Sequence, residues 1–552
     1  MKQLLKLTGC LAVAGLFASC QSIQQEANYQ VIPLPQEIVV EQGAPFILKS
    51  GVKILYPEGN EKMQRNAKFL ADYLKTATGK DFTIEAGTEG KNAIILALGT
   101  ENENPEAYQL KVAGDGVTIT GSTEAGVFYG IQSLRKSLPI AVGTNIALPA
   151  VEIKDAPRFG YRGAHFDTSR HFFTVDEIKT YIDMQALHNM NRLHWHITDD
   201  QGWRLEIKKY PKLTEIGSKR TETVIGRNSG EYDNTPYGGF YTQDELRDMV
   251  KYAADLGITI IPEIDLPGHM MAALASYPEL GCTGGPYEVS GQWGIRDDVL
   301  CVGKEKTFEF IENVLLEIID IFPSKYIHIG GDECPKIRWE KCPACQARIQ
   351  KLGLKDDEHG KAEHYLQSYT TERIEKFLNE HGREIIGWDE MLEGGLTTNA
   401  TVMSWRGVEG GMNAAKAGHN AIMTPNPYVY LDYYQEEPEI APTTIGGYNT
   451  LKKTYSYNPV PDDADELAKK HIIGIQGNIW REYMQTSERT DYQAFPRAMA
   501  IAETAWTQNA NKDWKNFCER MVTEFERLKV MNTQPCLNFF DVNINTHADE
   551  NG

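Results

Sequence analysis

From about residue 160 the hydrophobic positions fall into two alternating patterns. Short apolar runs rich in β-branched residues give way to longer stretches whose apolar positions recur at helical spacing. The strand candidates are YRGAHFDTS, RLHWHITDD, ITIIPEIDLPGH, YIHIGGDE, EIIGWDE, TVMSWRG, AIMTPNPYVYLD and IIGIQGNIWRE. Between them, helices are predicted over 175–189, 243–256, 305–321 and 363–381, among others. Eight strand–helix units in roughly 340 residues predict an α/β chain whose main domain, 156–508, is a (β/α)8 TIM barrel. A doubly wound open sheet is the alternative, but neither GxGxxG nor GxxxxGK(S/T) occurs.

The pattern before the barrel is different. Residues 21–155 predict a small α/β supporting domain: strand-like GVKILYP and NAIILAL, a helix over EKMQRNAKFLADYLKTATG, and a hairpin, YQLKVAGDGVTITGS, turning at Asp115-Gly116. The amphipathic TEAGVFYGIQSLRKSL can pack on that sheet, and no chemical constellation appears there. Residues 509–552 predict a helical extension around WKNFCERMVTEFERLKVM. The first twenty residues, MKQLLKLTGCLAVAGLFASC, place two lysines before an apolar core and small residues before Cys20. That is an export signal, too short for a transmembrane helix, and LFASC is similar to a lipobox in which Cys20 is lipidated. The expected location is the periplasm or the outer membrane and cell surface, with membrane contact only through that anchor.

Charge and cysteines narrow the classes. The chain carries 56 basic against 76 acidic residues, a formal net charge of −20, and no Lys/Arg run, which speaks against nucleic acid as a partner. Seven cysteines follow the signal. Export permits disulfides, and Cys282 and Cys301 bracket an irregular segment they could close. CPAC at 342–345, with Cys334 nearby, admits a redox motif, a metal knuckle or a loop staple. One CxxC without a second is a weak zinc signal, so the staple is favoured.

The strand candidates end in chemistry. Asp167 and Arg170, Asp199 and Asp200, Asp265 and His269, Asp332 and Glu333, Trp388 and Asp389, Trp405, Tyr430 and Asp432, and Trp480 and Glu482 all fall at or just past strand ends. In this barrel the active site lies at those ends. Carboxylates, an arginine and aromatic faces suit a sugar, whose rings stack and whose hydroxyls hydrogen-bond in pairs. Asp332 and Glu333 are adjacent, and consecutive strand residues point to opposite faces. They are therefore badly placed to flank one glycosidic bond as the usual carboxylate pair. One is expected to act as general acid, its proton affinity raised by the other, while the second acts on a different group. A 2-acetamido group on the substrate could supply the missing nucleophile.

The ordered motifs DTSRHFFTVDEIKTYID, NRLHWHITDDQGWRLEI, PEIDLPGH, HIGGDEC, GWDE and SWRG closely resemble glycoside hydrolase family 20, the β-N-acetylhexosaminidases. The resemblance covers essentially the whole chain after the signal. It implies exo-acting, retaining, substrate-assisted removal of terminal β-linked GlcNAc or GalNAc from a glycan, without metal or other cofactor. It further implies Glu333 as general acid/base, Asp332 as the residue orienting the acetamido group, and Tyr430 as donor to its carbonyl oxygen. Arg170, Asp432 and Glu482 resemble hydroxyl-binding residues, Trp388, Trp405 and Trp480 the pocket walls, and Asp199 and His269 the support of Glu333. Cys282 and Cys301 match a disulfide of some members.

Two rivals are weaker. HWH at 194–196 mimics the HxH pair of metal-dependent amidohydrolase barrels, but no strand-end lysine accompanies it, and such histidines on one strand face are more often buried and hydrogen-bonded. A non-catalytic glycan-binding lipoprotein would have no reason to keep a general acid.

Overall fold

The computed structural model describes residues 25–140, 145–395 and 399–537. The predicted export signal and Cys20 lie outside the described residues, as does the last part of the predicted C-terminal extension. No helix among the described residues is long and apolar enough to cross a membrane.

Eight parallel strands close into the predicted barrel: β1 Tyr161–Asp167, β2 Arg192–His196, β3 Thr259–Glu263, β4 Tyr326–His328, β5 Glu384–Trp388, β6 Thr401–Ser404, β7 Ala421–Met423 and β8 Ile472–Gly477. β8 pairs with β1 in register Tyr161↔Gly474 to Ala164↔Gly477. Gly474 is required there, since a Cβ would fall 1.9 Å from the Tyr161 carbonyl oxygen. Helix starts are set locally. Thr174 and Thr242 each accept from the backbone N–H three residues on, while Glu177 and Glu245 reach back to the cap, and so open helices Val175–Leu187 and Gln243–Asp255.

The supporting domain is a seven-stranded mixed sheet covered by helices Glu61–Thr78 and Glu124–Ser137. Gly130 lets the second helix approach: a Cβ there would sit 2.5 Å from Ile119 Cγ2. The hairpin differs by one residue from the sequence reading. Ala113 pairs with Gly116, so the two-residue loop is Gly114-Asp115 and Gly116 already belongs to the ladder.

Buried polar contacts fasten this domain to the barrel. The Arg162 guanidinium, wholly buried at the start of β1, donates two hydrogen bonds to Glu106 (2.7 and 3.0 Å) and one to the Tyr129 hydroxyl. Asp155 accepts from Trp506 Nε1 at 2.9 Å, on helix Arg497–Trp506. The predicted tail helix runs Trp514–Val530, and its Arg520 pairs with buried Glu503 at 2.6 Å.

Candidate active site

The adjacent carboxylates are not strand neighbours. β4 stops at His328, and the chain turns through Gly330 (φ +65°) and Gly331 (φ +98°) before reaching Asp332 and Glu333. The expectation that a strand pleat separates their side chains is therefore corrected: a glycine turn sets their directions. A Cβ on Gly330 would fall 1.8 Å from Asp265 Oδ1, and the same oxygen accepts from the Gly331 N–H at 3.2 Å. Glu333 itself has φ +46°, and His269, across from it on the loop after β3, has φ +51°. Left-handed backbone at two non-glycine residues costs on the order of 1–3 kcal/mol each and concentrates where side-chain direction is functional.

These loops surround a cavity of about 220 Å³ at the carboxyl ends of the strands. Arg170, His269, Asp332, Glu333 and Trp388 line it, together with Trp405, Tyr430, Asp432, Trp480 and Glu482. Asp199, predicted to support Glu333, stands behind the wall and touches both Arg170 and His269. The aromatic walls brace one another: Trp388 and Trp480 have ring centroids 5.7 Å apart, and Trp405 lies stacked with Tyr430 at 6.1 Å. Tyr433, Ile445, Gly446 and Gly447 add a rim from the long connection after β7. Sequence reasoning missed this rim because the segment has no period.

Charge is arranged in two tiers. In the lower tier, Arg170 binds Asp199 at 2.8 Å and Asp167 at 3.0 Å, with Glu482 at 3.8 Å. Asp199 also accepts from His196 Nε2 at 2.8 Å and faces His269 Nδ1 at 3.2 Å. Burial would raise the Asp199 carboxyl, but Arg170 and His269 hold it well below the carboxylate range. Burial likewise opposes charge on His269. Asp199, with Asp200 and Glu333, overrides it and keeps the imidazole protonated well above its ordinary range.

In the upper tier, the Nε2 of that imidazolium lies 3.6 Å from Glu333 Oε2 and 3.9 Å from Asp332 Oδ2. The Asp332 carboxyl is pushed up to about 6 by burial, with His269 opposing and the charges of Glu263 and Glu333 reinforcing. Burial, and then Glu482, also drive Asp432 well above its usual range. Four buried polar atoms on cavity-lining side chains have no hydrogen-bond partner: Asp332 Oδ1, Asp432 Oδ1, Glu482 Oε2 and His269 Nε2. Such atoms are costly unless something arrives to satisfy them.

Below the cavity lies Glu263, which sequence reasoning passed over inside the apolar run of β3. Its carboxylate meets His194 Nε2 (3.0 Å), His196 Nδ1 (2.5 Å), His328 Nδ1 (3.1 Å) and Trp388 Nε1 (2.9 Å). The HWH histidines are thus buried partners of a carboxylate, as their shared strand face implied. Histidine–carboxylate sets of this kind also offer metal-ligand atoms, but both Glu263 oxygens are already engaged by protein donors.

The predicted Cys282–Cys301 disulfide is not formed; both residues are free thiols. The CPAC segment is the reason: it brings Cys345 to 3.9 Å from Cys282 and 3.7 Å from Cys301, making a group of four with Cys342. Cys334, which follows Glu333, is a buried member of the surrounding apolar cluster, and burial raises its thiol to about 11.

Residues 159–509 match the model of the glycosyl hydrolase family 20 catalytic domain, and residues 28–156 match domain 2 of the same family. The chain belongs to glycosyl hydrolase family 20. The family 20 chain is 45% identical over 534 residues to a beta-hexosaminidase of Porphyromonas gingivalis, covering 95% of this chain and 66% of that protein. A beta-hexosaminidase of Vibrio furnissii is 36% identical over 482 residues, covering 86% of this chain and 76% of the relative. Among solved structures, a family 20 exo β-N-acetylglucosaminidase from Vibrio harveyi in complex with N-acetylglucosamine superposes with TM-score 0.80 at 32% identity. That match covers 93% of this chain and 79% of the other. The β-N-acetylhexosaminidase of Streptomyces coelicolor gives TM-score 0.78 at 30% identity, covering 92% and 97%.

Proposed function

We propose that this family 20 member is an exo-acting β-N-acetylhexosaminidase. It removes terminal β-linked GlcNAc or GalNAc from the non-reducing ends of glycans, with retention of configuration. The observation that carries the reading is the set of unpartnered carboxylate oxygens on Asp332, Asp432 and Glu482 around a tryptophan-walled cavity. Carboxylate acceptors without donors match a ligand rich in hydroxyl and amide N–H groups, and aromatic faces match the C–H face of a pyranose. The name and bound ligand of the Vibrio harveyi relative point to the same substrate class.

In this mechanism Glu333 gives its proton to the glycosidic oxygen. The acetamido carbonyl oxygen attacks C1 as the C1–O bond breaks, forming an oxazolinium ion. Asp332, ionised, accepts the acetamido N–H and stabilises the positive charge that develops, and the Tyr430 hydroxyl donates to the carbonyl oxygen. Glu333, now a carboxylate, takes a proton from water, which attacks C1 and restores the acetamido group. His269 lies against both carboxylates and favours the ionised form of Asp332. Arg170, Asp432 and Glu482 hold ring hydroxyls, and Trp388, Trp405 and Trp480 wall the pocket, which restricts it to chain ends.

A chromogenic aryl β-GlcNAc substrate tests this. Glu333→Gln should lower kcat by about 10²–10⁴-fold, as removal of a general acid/base does, and the first-formed product of the wild type should be the β anomer. Unchanged turnover in the variant, or an α product, would refute it. For location, we propose export and lipid anchoring through Cys20, supported by the signal pattern. Cys20→Ser should then move the enzyme from the membrane to the soluble fraction.

A further inference from the structure

The four thiols of Cys282, Cys301, Cys342 and Cys345 lie outside the carbohydrate site and have no part in its chemistry. Their ligand atoms all fall within 4.8 Å of one another. The separations are 3.5 Å for Cys301–Cys342, 3.7 Å for Cys301–Cys345 and 3.9 Å for Cys282–Cys345. A disulfide would need about 2.05 Å. A tetrahedral zinc with Zn–S bonds of about 2.3 Å sets its sulfurs about 3.8 Å apart. The observed spacing is that of a tetrathiolate cage.

Local backbone is built around the same point. Cys342 stands at the N-cap of helix Pro343–Leu352 and Cys345 lies in its first turn, so one helix start presents both sulfurs. Gly281 and Leu300 form an antiparallel β-bridge that puts Cys282 and Cys301 on one face, diagonally across it. At Gly303 a Cβ would lie 2.3 Å from the Cys345 backbone nitrogen, so only glycine lets this segment close on the CxxC turn. Cys301, Cys342 and Cys345 are buried and Cys282 is half-buried, within an apolar cluster that includes Trp339 and Phe308.

We infer that these four cysteines form a structural Zn²⁺ site. All-sulfur tetrahedral donors select a soft, thiophilic ion, and binding displaces the thiol protons. The site ties together the two loops that carry the site residues. Leu300 N–H donates to the carbonyl of Pro267, two residues before His269, at 3.0 Å. Trp339, just beyond Glu333, donates from Nε1 to the Leu300 carbonyl at 2.9 Å. The zinc thus braces the facing positions of His269 and Glu333 and takes no part in bond cleavage.

Elemental analysis of the full chain, purified without chelator, should find one zinc per chain. The four thiols should resist alkylation until a mercurial releases the metal. Co²⁺ in place of zinc should give the intense thiolate charge-transfer and tetrahedral d–d absorption bands. Cys342→Ser/Cys345→Ser should lose zinc and melt at lower temperature; if it does not fold, the metal content and thiol reactivity of the wild type still decide. Metal-free protein with a mass four hydrogens lower, meaning two disulfides, would overturn the proposal. So would metal-free protein with four freely alkylated thiols, or iron in place of zinc.

Discussion

Replacing Asp332 by Asn should stabilise the protein while removing the proposed reaction. The Asp332 side chain is 12% exposed. Burial lifts its carboxyl from 3.8 to about 6, against His269 and with help from Glu263 and Glu333. Between those values the folded state keeps a proton that the unfolded chain has lost. Stability therefore falls as pH rises from about 4 to about 6 and stays low above that. Two units correspond to about 3 kcal/mol at neutral pH, and Asn, which has no proton to lose, avoids that cost in nearly the same shape. The expected gain at pH 7.5 is a rise of a few degrees in Tm, since about 1 kcal/mol moves a large domain by about 2 °C. At pH 4 most of the gain should vanish, because wild-type Asp332 is then protonated in the folded state. Calorimetric scans of both proteins across this range, beside turnover of an aryl β-GlcNAc, provide the check. A Tm difference that is absent at pH 7.5, or equal at pH 4 and 7.5, would show that ionisation of Asp332 is not the source. Wild-type turnover in the variant would refute substrate assistance.

Other outcomes follow from neighbouring contacts. His269→Gln removes a cation 3.9 Å from Asp332 and 3.6 Å from Glu333. The acid limb of kcat/KM should move to higher pH by about one unit or more, and an unmoved limb would refute the pairing. Arg170→Met leaves Asp167 and Asp199 buried without their guanidinium and should cost about 3–5 kcal/mol, read in denaturant melts. Gly330→Ala drives a methyl group into Asp265; kcat should fall as the loop bearing Asp332 and Glu333 shifts, and unchanged kcat would mean that the turn does not set their position.

Much of the barrel was legible because each strand is short, apolar and closed by a polar or aromatic residue. That pattern also picked out the side chains of the cavity, since strand ends and active-site positions coincide in this fold. The details that failed are those no period carries. The Asp332–Glu333 pair lies beyond a strand that ends at His328, five residues before the end of the candidate YIHIGGDE, because Gly330 and Gly331 adopt φ values that break the pleat. Glu263 was hidden because a buried carboxylate in an apolar strand is explained only by partners from β2, β4 and β5. The cysteines were misread for a similar reason. Cys282 and Cys301 are near in sequence, and only the folded chain reveals Cys345 beside both.

The clamp on Arg162 has a practical side for anyone wishing to trim this protein to its catalytic half. Glu106 and Tyr129 come from the supporting domain, while the guanidinium they hold sits at the first turn of the barrel with no exposure to solvent. A fragment beginning at Tyr161 would take Glu106 and Tyr129 away from that charge and would uncover the apolar surface around Trp506, over which the guanidinium lies and which Asp155 seals. The two halves are a single unit of inheritance: a graft of this pocket into another host has to carry its front domain along.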